Sequence, residues 1–236
     1  MNMLFLRSLL YFLGSTIVLV LLTTIVLMLF FTPVKVRYAI LVNWSKFCIW
    51  WLRMTLNIKL EVMGKENIPT TPCVIISNHQ STWETIGLQQ VFPHQTWVLK
   101  RELLLIPVFG WALAMLKPII INRGEKFKAL KKVIKQGADR INEKIFVVVF
   151  PEGTRQPYGK LGEYQKGGIS IAKKTGCDIS PVYHNAGRVW PKGSFIKYPN
   201  TITVVIGKPI SVAGKSATVL IKEIRDWTES QASRII

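Results

Sequence analysis

The distribution of apolar and charged residues sets the first part of the chain apart from the rest. The 24 residues from 8 to 31 include no charged side chain, and most are Leu, Val, Ile, Phe or Thr. About 20 apolar residues let a helix cross the hydrocarbon core of a bilayer, so a transmembrane helix is predicted over about 8–31. A cleaved signal peptide is the alternative, but no small-residue cleavage pattern follows, and the run is longer than a signal's usual core. We therefore expect a retained anchor.

Residues 34–56 form a second apolar segment, which basic side chains interrupt. Tryptophans, a tyrosine and a phenylalanine accompany Lys35, Arg37, Lys46 and Arg53. Trp and Tyr favour the headgroup region of a membrane, and long basic side chains can reach it. The pattern predicts a helix lying in the membrane interface, with a buried helix of a soluble domain as the alternative. Residues 1–56 are thus expected to form the anchor.

From residue 57 to residue 236, short apolar runs alternate with helical patterns. Apolar runs predict strands at 60–64, 73–77, 96–100, 118–122, 145–150, 179–183 and 201–206. Helical patterns are found at 81–90, 103–116, 126–142, 167–175 and 216–234. This alternation predicts an α/β domain with a mixed, mostly parallel central sheet flanked by helices.

The charge balance is strongly basic, with 31 Lys and Arg against 13 Asp and Glu and a net charge of +18. Nucleic acid and anionic lipid headgroups are both acidic partners, and solubilisation of the surface explains part of the excess. The chain also carries an apolar anchor and has no zinc-finger spacing or aromatic RNA-binding signature. We therefore expect anionic membrane lipids as partners, and no nucleic acid.

The flanks of the apolar segment predict its orientation. Arg7 is the only basic residue before it, whereas several follow it, so the C-terminal domain is expected on the cytoplasmic side. The three cysteines, Cys48, Cys73 and Cys177, have neither disulfide nor metal-site spacing, and we expect them to be reduced.

Two polar motifs each follow an apolar run that predicts a strand. Residues 78–84 read Asn-His-Gln-Ser-Thr-Trp-Glu, with His79 five residues before Glu84, and residues 150–155 read Phe-Pro-Glu-Gly-Thr-Arg. A histidine oriented by a carboxylate can act as a general base, and guanidinium groups suit phosphate. An isolated histidine and glutamate at this spacing would ordinarily be unrelated. Together the motifs favour acyl transfer to a phosphorylated alcohol.

These motifs resemble, in order and spacing, those of the glycerolipid acyltransferases, most closely the bacterial 1-acylglycerol-3-phosphate acyltransferase type. The resemblance extends over about residues 58–210 and includes Ile-Ile-Ile-Asn-Arg at 119–123 and Lys-Arg-Glu-Leu at 100–103. Departures are Glu84, where the family usually has Asp, and Lys117-Pro118, where a glycine is frequent.

The resemblance implies roles for eight residues. His79 would be the general base and Glu84 its partner. The residues implied in binding the acceptor's glycerol phosphate are Arg123, Glu152, Gly153, Thr154 and Arg155, with Lys100 near the phosphate or the reacting carbonyl.

The reaction implied is transfer of a fatty acyl group from acyl-CoA or an acyl carrier protein to the sn-2 hydroxyl of lysophosphatidic acid. A thioester is already activated, so Ser81 is expected to be structural, and His94 and His184 to be loop or core residues. No metal or other cofactor is expected. The alternatives are another acceptor (a lysophospholipid or a lyso-ornithine lipid) and a non-catalytic lipid-binding protein, which the presence of both His79 and Glu84 disfavours. The expected location is the bacterial inner membrane.

Overall fold

The computed structural model describes residues 2–121 and 126–235, with the backbone alone for 126–129. In this part of the chain, seven strands form one sheet in the order β1-β7-β6-β2-β5-β3-β4. The strands are β1 Lys59–Met63, β2 Val74–Ser77, β3 Gln95–Lys100, β4 Ile119–Ile121, β5 Phe146–Val149, β6 Ile179–His184 and β7 Thr201–Ile206. Strands β2 to β6 run parallel to one another, whereas β7 is antiparallel to β6 and carries β1 beside it. The prediction of a mixed, mostly parallel sheet is confirmed.

Helices cover both faces of this sheet. They are α1 Met3–Met28, α2 Val34–Leu56, α3 Trp83–Gly87, α4 Phe109–Ala114, α5 Lys126–Asn142, α6 Gly167–Thr175, α7 Ala186–Val189 and α8 Ala217–Arg234. Because side chains alternate along a strand, Ile75 and Val148 pack towards α1 to α4, while Val74 and Val147 pack towards α5, α6 and α8. Strands β2, β5 and β6 are buried along their whole length, which explains why most of their residues are apolar.

Helices α1 and α2 form a hairpin with close packing. The indole Nε1 of Trp44 donates to the Ser15 carbonyl (2.8 Å), and that of Trp51 donates to the Leu10 carbonyl (3.1 Å). A Cβ atom on Gly14 would lie 2.4 Å from Trp51 Nε1. The approach of the two helices at this point therefore requires glycine.

The hairpin also packs on the α/β domain. Helix α2 buries Leu52 and Leu56 in the same core as the sheet. The Ser45 hydroxyl of α2 donates to the Ile86 carbonyl of α3 at 2.6 Å. The helix has the predicted bounds, and its location in a membrane interface stays a prediction.

The first turns of α1 contact the segment around Lys197. Ser8 Oγ accepts a hydrogen bond from the Lys197 N–H (3.1 Å), and the Tyr11 ring packs edge-on against Trp190 with 5.7 Å between centroids. The Lys197 ammonium lies 4.3 Å from the Trp190 ring centre and donates to the Phe195 carbonyl at 2.7 Å. Burial lowers the pKa of Lys197 to about 8. A buried cation among aromatic rings thus joins α1 to the domain.

The remaining face of α1 is apolar and exposed. Leu13, Ile17 and Leu21 are examples. Of the described helices, α1 is the one whose length and apolar composition suffice to cross a membrane. It begins and ends a few residues earlier than the predicted 8–31, and its crossing of a bilayer stays a prediction.

Two predicted helices differ in the structure. The single helix predicted over 103–116 is instead a 3₁₀ turn at Arg101–Leu105 followed by α4. Pro107 disfavours a helical backbone at the preceding residue, and Ile106 is extended, with φ −70° and ψ 118°. The helix predicted over 81–90 begins at Trp83, and its last turn is 3₁₀. The four-residue helix α7 was not predicted, because it is too short to show a periodic pattern.

Candidate active site

The predicted motifs meet at the carboxyl ends of the parallel strands, where α/β proteins usually bind ligands. Strand β2 leads into His79, β5 leads into the 150–155 loop, and β3 ends at Lys100. Strand β6, the neighbour of β2, ends at His184. Arg123 lies outside the described residues.

His79 and Glu84 are in contact. The Nδ1 atom of His79 pairs with Glu84 Oε1, and the imidazole stacks on the Phe150 ring with 4.3 Å between centroids and 11° between planes. With Nδ1 donating to the carboxylate, the basic nitrogen of the neutral imidazole is Nε2. The pair thus has the geometry of a general base and its orienting acid.

Glu84 is held at the first turn of α3 with no exposed surface. Its Oε1 accepts from the Gln80 N–H (3.1 Å) and its Oε2 from the Ser81 N–H (2.8 Å). Burial raises the pKa of Glu84 to about 7, while His184, Arg155 and the two N–H groups act in the opposite direction. The backbone donors therefore favour the charged form that burial disfavours.

The Ser81 hydroxyl is engaged in the turn before α3. It donates to the Trp190 carbonyl at 2.7 Å and accepts from the Trp83 N–H at 3.1 Å. This places the hydroxyl among the groups that hold the backbone around Glu84.

Glu152 links the second motif to His79. Its Oε1 accepts the backbone N–H of His79 (3.1 Å), and its Oε2 accepts the N–H of Gly162 (3.2 Å). The Gln156 N–H donates to the His79 carbonyl at 2.7 Å. Glu152 is 7% exposed, and burial raises the pKa of its carboxyl to about 7. Both backbone polar groups of His79 are therefore bonded to the loop that follows β5.

The other predicted residues lie around this core of the site. Gly153 has a left-handed backbone, with φ +66°, which favours glycine. Thr154 is exposed, Arg155 is half-buried, and Lys100 is exposed at the end of β3. The structure thus brings His79 together with Glu84 and Glu152, with Arg155 close enough to favour the charge on Glu84.

An apolar cavity adjoins the site. It has a volume of ≈ 180 Å³ and lies between α1, α2, β3 and α4. Thr82 and Arg155 line it beside the motifs, and Leu19, Leu103 and Leu113 are among its apolar walls. The cavity therefore joins the polar site to a space suited to hydrocarbon.

His184 is the site residue that sequence reasoning missed. It was expected to be a loop or core residue, and it is fully buried; its position in the site, with Nε2 3.5 Å from Glu84 Oε2, was not expected. The two residues are 100 positions apart, so no local spacing relates them. The third histidine, His94, is half-buried beside the Tyr38 ring, at 4.2 Å between centroids, and burial lowers its pKa.

Among the side chains that the structure describes, no group of three or more His, Cys, Asp or Glu has an arrangement able to hold a metal ion.

Comparison with known proteins relates this site to characterised enzymes. The chain is 46% identical over 202 residues to the 1-acyl-sn-glycerol-3-phosphate acyltransferase of Pseudomonas aeruginosa, a match that covers 85% of this chain and 78% of that protein. It is 34% identical, over 71% of its length, to the chloroplastic 1-acyl-sn-glycerol-3-phosphate acyltransferase BAT2 of Brassica napus, of which the match spans about half (49%).

A solved structure gives the same fold. The crystal structure of the 1-acyl-sn-glycerophosphate (LPA) acyltransferase PlsC from Thermotoga maritima aligns with a TM-score of 0.82 and 25% identity, covering 98% of this chain and 95% of that one. The model of the family described as "Acyltransferase" matches residues 59–185, which include both motifs. A family match over more than half of the chain, together with 46% identity over most of it, makes this protein a member of the acyltransferase family.

Proposed function

We propose that this protein transfers a fatty acyl group from an acyl thioester to the sn-2 hydroxyl of 1-acylglycerol 3-phosphate, forming phosphatidic acid for phospholipid synthesis. The observation that carries the proposal is the contact between His79 Nδ1 and the buried Glu84 carboxylate. It occurs in a chain 46% identical to a bacterial enzyme named for this reaction.

His79 acts as the general base in the proposed mechanism. Its Nε2 takes the proton of the sn-2 hydroxyl as the oxygen attacks the thioester carbonyl, and Glu84 stabilises the imidazolium that forms. The tetrahedral intermediate then collapses, the C–S bond breaks, and the proton passes from His79 to the departing thiolate. The thioester supplies the activated acyl group, so the mechanism needs no cofactor and no covalent acyl-enzyme.

The acceptor's phosphate is assigned to basic residues of the sequence motifs. Arg155, Lys100 and, from its sequence motif, Arg123 supply the positive charge that a phosphomonoester requires. Gly153 and Thr154 allow the acceptor to approach the loop backbone. Glu152 contributes indirectly, because its oxygens accept backbone N–H groups of His79 and the following loop.

The apolar cavity is assigned to an acyl chain. Its walls are hydrocarbon, and Thr82 and Arg155 line it close to the reacting groups. An acyl chain lying in the cavity would bring its carbonyl towards His79, because Thr82, which lines the cavity, follows His79 by three residues in the sequence. The donor is acyl-CoA or acyl carrier protein.

The proposed location is the cytoplasmic side of the bacterial inner membrane. The apolar face of α1 supplies the contact with lipid. Helix α4 packs against α1, and the exposed Trp111 of α4 and Leu105 before it extend the apolar surface. The excess of basic residues after α1 supports the cytoplasmic side and an anionic lipid surface.

The test is thiol release from a long-chain acyl-CoA by the detergent-solubilised protein, with and without lysophosphatidic acid. We expect acceptor-dependent release that His79→Ala reduces by at least about 10²-fold, the usual contribution of a general base. His94→Gln is the matched control and should keep wild-type rates, because His94 lies beside Tyr38 rather than in the site.

Two outcomes would change the proposal, and a third would choose between its two donors. Release by the His79→Ala protein at the wild-type rate would exclude the mechanism. Release with another lysolipid but not with lysophosphatidic acid would assign a different acceptor. Activity with acyl carrier protein alone would identify the donor.

A further inference from the structure

His184 is a fully buried histidine that the proposed mechanism does not use. It ends strand β6, which pairs with β2, the strand that leads to His79. Its side chain has no exposed surface and packs against the Trp83 ring, at 6.0 Å between centroids. A polar ring without access to water has to be satisfied by partners inside the protein.

Its partners determine which nitrogen carries the proton. The Ala186 N–H donates to His184 Nδ1 at 3.3 Å, so the proton of the neutral ring is on Nε2. That nitrogen lies 3.0 Å from the Asn78 carbonyl oxygen and 3.5 Å from Glu84 Oε2. The N–H therefore donates to the Asn78 carbonyl, and the same ring nitrogen lies beside the Glu84 oxygen opposite the one that His79 contacts.

The position of His184 is fixed from β2. The Asn78 side-chain amide donates to the His184 carbonyl (2.9 Å), and the Asn78 side-chain oxygen accepts the His184 N–H (3.0 Å). Asn78 immediately precedes His79 in the chain. The residue before the base thus holds the second histidine through both its backbone and its side chain.

The charged and titratable groups around Glu84 come from two loops and one strand. His79 and His184 contact its two oxygens, Arg155 favours its charge, and the buried Glu152 disfavours it. Burial raises the pKa of Glu84 to about 7 and lowers the pKa of His184, which is therefore a neutral donor near pH 7. Loss of this donor would make the carboxylate easier to protonate, and protonated Glu84 would stabilise an imidazolium poorly.

We propose that His184 is a positioning residue of the acyl-transfer site: its Nε2–H donates to the Asn78 carbonyl, and this bond keeps the positive end of the N–H group 3.5 Å from Glu84 Oε2, where it favours the carboxylate that pairs with His79. The inference rests on the proposed function. His184 acts through Glu84, so its removal should affect the step that needs the base and leave binding of the acceptor unchanged.

The test compares the pH dependence of kcat in the wild type with that of His184→Leu and His184→Gln. In His184→Leu the acid limb of the profile should move up, by at most about one pH unit, because the N–H dipole that favours the charged form of Glu84 is lost. The KM for lysophosphatidic acid should stay constant. In His184→Gln the side-chain amide can place an N–H near Glu84, so the acid limb should return part of the way to its wild-type pH. In His94→Gln the acid limb should stay at its wild-type pH.

A second measurement on the wild-type protein keeps the inference testable if His184→Leu does not fold. In NMR spectra of protein labelled with ¹⁵N-histidine, one ring should stay neutral and protonated at Nε2 from pH 6 to 8. Spectra of His79→Ala and His94→Gln identify the other two rings. A His184 ring protonated at Nδ1, or charged at pH 7, would overturn the inference.

Failure of the inference differs from failure of the proposed function. If the wild-type protein releases no thiol with any lysolipid or donor, the proposed function fails. If it is active and His184→Leu lowers kcat equally at every pH, or changes only thermal stability, then His184 is structural and the inference alone is overturned.

Discussion

The Glu152→Gln substitution separates two roles for a residue of the second motif. The family resemblance implies that Glu152 binds the acceptor, whereas in the structure its two oxygens accept the N–H groups of His79 and Gly162. An amide offers one acceptor and one donor in place of two acceptors. In Glu152→Gln, one of the two N–H groups must therefore face another donor.

The size of the effect follows from this conflict. A buried N–H without an acceptor costs about 1–3 kcal/mol, and the conflict can be relieved only by a shift of the Gly162 loop or of the His79 backbone. A small misplacement of a reacting group costs up to about 10²-fold in rate. We expect kcat to fall about 10–100-fold on this basis, with little change in the KM for lysophosphatidic acid.

The assay is thiol release at several acceptor concentrations, with Glu163→Gln as control. Glu163 is exposed in the same loop, so its substitution makes the same change of charge without the buried conflict. If Glu152→Gln raises the acceptor's KM and leaves kcat at the wild-type value, Glu152 binds the acceptor and the reasoning from backbone contacts is refuted.

Three further predictions concern Glu84, Arg155 and Ala112. The ordinary pKa of Glu84 is 4.5, and in the folded protein it is raised to about 7. Between these pH values the folded protein binds this proton more tightly than the unfolded chain does. The contribution of Glu84 to the free energy of unfolding should therefore decline as pH rises from about 4.5 to about 7, by at most about 3 kcal/mol. Glu84→Gln should flatten this decline in denaturant titrations, and an unchanged slope would contradict it. Arg155→Ala should raise the KM for lysophosphatidic acid about 10-fold or more, since a charge-assisted contact is lost; an increase confined to the KM of the thioester would defeat the assignment. Ala112→Leu adds three carbons to the wall of the apolar cavity and should shift the preferred acyl chain to shorter lengths. For the longer chains, kcat/KM should fall about fourfold for each methylene that the cavity no longer accommodates. A chain-length profile equal to that of the wild type would argue against this cavity as the acyl site.

The parts of the fold that follow local rules were predictable from the sequence. Strands β2 and β5 are central and apolar except for Ser77, and helix α8 begins after Ser216, whose side chain accepts the Val219 N–H. The segment 103–116 was wrongly predicted as one helix, because the prediction followed its apolar spacing and not the break that Pro107 causes.

The candidate site likewise has contacts that could be predicted from the sequence and contacts that could not. The contact of His79 with Glu84 depends on five residues of chain and on the start of α3, both of which a short motif can encode. The bonds of Glu152 to the His79 backbone and the position of His184 depend on how strands distant in sequence are paired. The catalytic and binding roles of these residues stay predictions until the variants are measured.

The contacts between Lys197 and α1, together with the buried face of α2, have a consequence for the thermodynamics of folding. The hairpin of α1 and α2 contributes to the core of the domain. A protein lacking residues 1–56 would therefore expose the residues that pack against Leu52. We expect such a protein to lose cooperative unfolding rather than to become a soluble enzyme. If lipid binds the apolar face of α1 only when the hairpin is docked, the bilayer is a ligand of the native state, and the free energy of unfolding rises with lipid concentration. The same linkage would make the folded, active enzyme most abundant at the surface where its lipid substrates are found.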